Sequence, residues 1–147
     1  MEGGFEAVSV GDGFTTRGRT VTEADVVNFA GVSGDFNHLH TDAEVMADSP
    51  FGERIVHGAL VFSVLTGLVW QSRSDAAREH VVAFYGIDRM RFVQPLFIGE
   101  TIHGDVEVVD KEPTDHPKAT GVVRQEVAAV NQDDETVLSC EFLLLVE

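Results

Sequence analysis

The chain is poor in cysteine, in lysine and in long apolar runs, and each shortage excludes something. Cys140 is the single cysteine, so no intramolecular disulfide can form and a reducing compartment is expected. It alternates with Leu138, Phe142, Leu144 and Val146, which marks a buried structural thiol rather than a nucleophile. Lys111 and Lys118 are the only lysines; ten basic residues stand against 25 acidic ones, a net charge of −15. A surface of that sign repels nucleic acid and anionic membranes, so neither is an expected partner. The longest apolar stretch, Gly58 to Trp70, is shorter than the ~20 residues of a membrane helix. Met1-Glu2-Gly3-Gly4-Phe5-Glu6 carries neither the basic start nor the apolar run of a secretion signal, and a cytoplasmic protein is expected. There is no Gly-x-Ser-x-Gly elbow, no dinucleotide or phosphate-loop fingerprint, no repeat and no low-complexity segment. These absences argue against a serine hydrolase or a nucleotide enzyme.

What is present fits one domain over residues 1–147. The acids are scattered, as on a solvated surface. Scarce lysine with abundant Asp, Glu and Val resembles the proteins of salt-loving microbes, where screening removes the self-repulsion. Thr22 with Asp25 predicts a helix start, and Val26, Val27, Phe29 and Ala30 a helix ending near Gly31–Gly34. Asp42 is expected to cap a second short helix that stops at Ser49-Pro50. From Gly58 to Arg73, apolar residues fill nearly the whole helical circumference, which predicts a buried helix. After it the period changes to two, with strands expected near 81–93, 101–108, 119–130 and 136–146. A possible short strand lies near 14–21. One buried helix followed by an antiparallel meander predicts an α+β fold, a sheet wrapped around the helix.

The segment Gly34-Asp35-Phe36-Asn37-His38-Leu39-His40 puts an acid and a histidine five residues apart, and Ile55-Val56-His57-Gly58 places a glycine at the start of the long helix. Hydrating a double bond conjugated to a thioester needs a base for water, an acid for the α-carbon and donors for the thioester oxygen. Asp35 can polarise the water, and His40 can exchange a proton near neutral pH. The free N–H groups and dipole at the Gly58 helix start can hold developing negative charge. Each feature also has a plainer reading. Asp35-Phe36-Asn37 is ordinary turn chemistry, and His57 can be a histidine satisfied by local backbone. His38, His40 and His57 offer imidazoles to a metal, but without cysteine partners or His-Glu-x-x-His spacing no metal is expected.

These residues resemble the MaoC-like dehydratase family, and within it the short (R)-specific enoyl-CoA hydratases. The family's hydratase signature, Asp-x-Asn-Pro-x-His followed by Ile-Val-His-Gly, stands here as Asp35-Phe36-Asn37-His38-Leu39-His40 and Ile55-Val56-His57-Gly58. The similarity runs on through Leu60, Ser63, Thr66 and Gly67 and through Phe92-Val93-Gln94-Pro95-Leu96-Phe97-Ile98-Gly99-Glu100. The resemblance implies a hot-dog fold, a homodimer or dimer of dimers, and an acyl-CoA thioester as substrate with no further cofactor. It implies that Asp35 and His40 activate water and that the Gly58 amide holds the thioester oxygen. Asn37, His57 and Thr66 would support the site, and Ile55, Val56 and Ser63 would face the substrate. Arg89 and Arg91 are either contacts for CoA phosphates or surface ion pairs. His38 replaces the family's usual proline, which would have stiffened the loop. Dehydration of a carrier-protein thioester, thioester hydrolysis and a non-catalytic acyl-binding subunit are the alternatives. Acyl length and pathway, polyester precursor supply included, stay open.

Overall fold

A computed structural model describes residues 3–147. A 3-10 turn at Phe5–Ala7 precedes strands β1 (Gly13–Thr15) and β2 (Arg19–Thr20). Then come helices α1 (Glu23–Ser33), α2 (His38–Thr41), α3 (Ala43–Ala47), α4 (Gly58–Ser72) and α5 (Asp75–His80). Four long strands close the chain: β3 (Val81–Phe92), β4 (Thr101–Pro113), β5 (Gly121–Asn131) and β6 (Thr136–Val146). The sheet runs β1-β4-β5-β6-β3, wholly antiparallel, with β2 also on β4. The α+β class expected from the change of period is the class found. The single strand expected near 14–21 is two short ones, and α2 and α5 are additions that the sequence pattern did not reveal.

Local chemistry explains the element ends. Thr22 and Asp25 form a full capping box, with the Thr22 side chain accepting from Asp25 N and Asp25 Oδ2 accepting from Thr22 N. Gly34, at φ 76°, closes α1 in the left-handed conformation that glycine adopts without strain. Asp42 caps α3 by accepting from Val45 N.

The core lies between α4 and one face of the sheet. Leu60, Val61, Val64, Leu65, Leu68 and Val69 of the helix join Ile102, Val106, Val127, Ala129, Leu138, Cys140 and Phe142. Pairing in register sets inward residues side by side, as in the row Val106, Val127, Cys140. Gly104 lets the helix come close, because a Cβ there would stand 2.9 Å from Leu65 Cδ1. Cys140 is buried, and burial pushes its thiol up to about 11, so it is un-ionised and inert at neutral pH. No helix among the described residues is long and apolar enough to cross a membrane.

Candidate active site

Three segments converge at the start of α4. The first is the turn after α1. Ser33 Oγ accepts from Asp35 N, Asp35 Oδ1 accepts from Asn37 N, and Asn37 Oδ1 caps α2 by accepting from Leu39 N. This chain of side-chain-to-backbone bonds makes a fixed turn of what would otherwise be a loop. His38 is exposed at the first position of α2. Proline is favoured at that position because its N–H is unused there. A histidine therefore costs the turn no hydrogen bond, and the Asn37 cap supplies the stiffness.

The second segment is Ile55–His57. Ile55 N donates to Leu39 O and Val56 N to Leu96 O, both within 2.9 Å. Leu96 is presented by the turn that follows, where Glu100 Oε2 accepts from Phe97 N and Gly99 takes φ 97°. The third segment is α4 itself. Gly58 and Ala59 find no partner for their N–H groups among the described residues, while Leu60 and Val61 both donate to His57 O.

Between these segments stand Asp35, His40 and His57. His40 Nδ1 lies 2.7 Å from Ile55 O. A carbonyl only accepts, so Nδ1 carries the proton and Nε2 faces Asp35 with its lone pair in the neutral ring. The Asp35 Oδ2 to His40 Nε2 distance is 3.7 Å, too long for a direct hydrogen bond. A water beside both groups could donate one proton to each. His40 is buried, whereas the Asp35 side chain is half exposed. His57 is 2% exposed and donates through Nε2 to Asp35 O at 2.9 Å, leaving Nδ1 buried without a partner. Its ring stacks on His40 at 3.7 Å between centroids, and Phe29 closes its other side edge-on. His57 thus ties the Asp35 turn to the helix start and walls in His40.

One ligand atom from each of Asp35, His40 and His57 lies within 4.8 Å of the other two. The imidazole planes are only 24° apart.

A cavity of about 510 Å³ opens beside the pair, lined by His40, Ile55, Val56, Gly58, Ala59 and Phe92 among others. Phe92 lies directly over Gly58: a Cβ on Gly58 would stand 2.5 Å from its ring. Phe92 escaped the functional reading although it opens the second similar segment; contact between residues so far apart leaves no local signal.

Of the expected residues, Asp35, Asn37, His40, Ile55, Val56, His57 and Gly58 are brought together. Ser63 and Thr66 are not. The Ser63 hydroxyl is exposed and donates to Ala59 O, and Thr66 donates to Ser63 O on the wall of a different cavity. Their hydroxyls satisfy the turns of their own helix instead of reaching the acid–histidine pair. Arg89 is also placed elsewhere. It sits at φ 51° in an irregular stretch of β3 and pairs with Glu141, which Arg124 also holds. Arg91 is exposed and bonds only the neighbouring Met90 O.

Residues 6–131 match the family model of the MaoC like domain. The chain belongs to the MaoC-like dehydratase family, and its fold is the hot-dog fold. Over 98 residues, 67% of this chain, it is 45% identical to Protein MaoC of Klebsiella aerogenes, but it spans only 28% of that relative. It is 35% identical over 101 residues to the (R)-specific enoyl-CoA hydratase of Aeromonas caviae, covering 69% of this chain and 71% of the relative. The solved structure of the Monoamine oxidase regulatory protein from Archaeoglobus fulgius superposes with a TM-score of 0.89 at 38% identity, over 99% of this chain and 94% of that one.

Proposed function

We propose that the protein is an (R)-specific enoyl-CoA hydratase, adding water reversibly to a trans-2-enoyl-CoA. The observation that carries this is the separation of Asp35 and His40, with His40 turned by the Ile55 carbonyl so that Nε2 faces the acid beside the unpaired Gly58 N–H. Asp35 holds the water by accepting one hydrogen bond. His40 Nε2 takes the proton as the oxygen attacks C3, and returns a proton to C2 on the same face. The net result is OH on C3 and H on C2. The charge that gathers on the thioester oxygen meets the Gly58 N–H and the positive end of α4. The cavity beside Phe92 takes the thioester, and Arg91, which no described carboxylate pairs, is available to CoA phosphates.

The same residues run the reverse reaction, so a 3-hydroxyacyl carrier-protein thioester is the neighbouring alternative substrate. We further propose a homodimer through β3. Among the described residues it is an edge strand with no neighbour on its outer side, and Phe84, Tyr85, Ile87 and Phe92 on it are exposed. Light scattering after gel filtration tests the dimer.

The activity is tested with crotonyl-CoA in low and high salt, following enoyl absorbance and free thiol together. Loss of absorbance without thiol supports hydration. Thiol release means a thioesterase, and no turnover in either salt means a non-catalytic acyl-binding or regulatory protein.

A further inference from the structure

The cavity at the start of α4 has one wall that takes no part in moving protons. Phe92, the last residue of β3, is 59% exposed. Its ring is nevertheless pressed onto the helix start. A Cβ on Gly58 would stand 2.5 Å from Cε1 of the ring and 2.8 Å from Cδ1 and Cζ. The gap between ring and helix therefore has no room for a single methyl group. Cα–Cβ bonds tilt toward a helix N-terminus, the direction in which its free N–H groups also point. The ring thus bounds the same space onto which the Gly58 N–H opens. The backbone holds this wall from two sides. Phe92 pairs with Leu138 in the β3–β6 register, and Val93 N donates to Val137 O at 2.8 Å. Further along, Leu96 O accepts from Val56 N at 2.8 Å, which ties the same segment to the residues just before Gly58. Val93 and Pro95 continue the wall along the cavity.

We propose that Phe92 determines specificity at C2: it admits thioesters unbranched at C2 and excludes those with a 2-methyl group. This deepens the hydratase reading and rests on its placement of the thioester. With the thioester oxygen on the Gly58 N–H and C3 beside His40 Nε2, C2 lies between them, two bonds from the oxygen. A flat, unsubstituted enoyl group fits against the ring. A methyl on C2 adds bulk where ring and helix leave no space, and a fixed wall does not yield to it. Asp35 and His40 set the chemistry at C2 and C3, and the ring sets the shape accepted there.

Two saturated isomers, butyryl-CoA and isobutyryl-CoA, read the wall without the chemistry, because neither can be hydrated. In titration calorimetry the full-length protein is expected to bind butyryl-CoA at least about tenfold more tightly, the discrimination that one misplaced methyl gives. Phe92→Ala should bring the two within about threefold of each other. Turnover should follow. The ratio of kcat/KM for crotonyl-CoA to that for 2-methylcrotonyl-CoA is expected to fall about tenfold in Phe92→Ala, with Phe92→Leu between the two. The ratio is compared between proteins, so the slower intrinsic hydration of the methylated substrate cancels. Phe92 is exposed, and an unchanged unfolding midpoint checks that its replacement leaves the fold intact. Equal binding of the two isomers by the unmodified protein overturns the proposal, as does a Phe92→Ala variant that discriminates as before. If crotonyl-CoA is not turned over but the calorimetric preference is present and is lost in Phe92→Ala, hydration fails and the wall stands. Binding of neither isomer overturns both.

Discussion

The two ends of α4 are built on opposite plans. At its start, backbone donors are left free, a half-exposed acid faces a buried histidine, and the histidine is aimed by a carbonyl 15 residues away. At its finish the walls are apolar and one buried guanidinium lacks a counter-charge. In the proposed reaction the first end holds a water between the acid and the histidine. The helix offers free N–H groups at that end only, so its two ends suit different chemistry.

Substitutions at the two ends should therefore fail differently. The largest effect is expected at the start: Asp35→Asn and His40→Ala should each lower kcat/KM for crotonyl-CoA by about a hundredfold or more, with the unfolding midpoint little changed. Near-full turnover in either variant would remove the assigned roles. Next comes the middle of the helix, on which both ends depend. Leu65 is fully buried against Gly104, and Leu65→Ala should cost about 3 kcal/mol in urea unfolding. Gly58→Ala is expected to lower kcat by roughly tenfold, since its methyl would displace Phe92 from the oxygen-binding N–H, while the melting temperature changes little. A turnover equal to the parent's would show that the helix start does not meet the thioester.

The smallest effect belongs to α1, which leads into the Asp35 turn. Thr22→Ala should cost about 1 kcal/mol of stability. Asp25 is held below its ordinary value of 3.8 chiefly by the Thr22 backbone N–H. The folded state favours its ionised form, so this contribution is whole above pH ~4 and is lost as pH falls through the lower folded value. Unfolding midpoints measured from pH 5 downward should fall less steeply in Asp25→Asn than in the parent.

Much of this was legible in the chain. The capping box at Thr22, the Asp42 cap and the alternation of the last strands depend on residues a few positions apart, and each stands where it was expected. The four residues of α2 are too few to show a period, and only the Asn37 cap marks their start. The family resemblance along α4 points to Ser63 and Thr66 as site residues. Geometry turns their hydroxyls onto their own helix. Arg73 entered the sequence reading only as the end of the predicted helix. Its burial depends on Gln125, 52 residues away.

Sequence alone determined the α+β class, the long apolar helix and the acid–histidine pair, because period and spacing are properties of neighbours; the helix is buried on one face, with Trp70 48% exposed on the other. Tertiary structure decided which imidazole nitrogen faces Asp35, what covers Gly58 and which cation goes unpaired. Those outcomes require groups distant in the chain to meet at bonding distance, and only the packed fold fixes that.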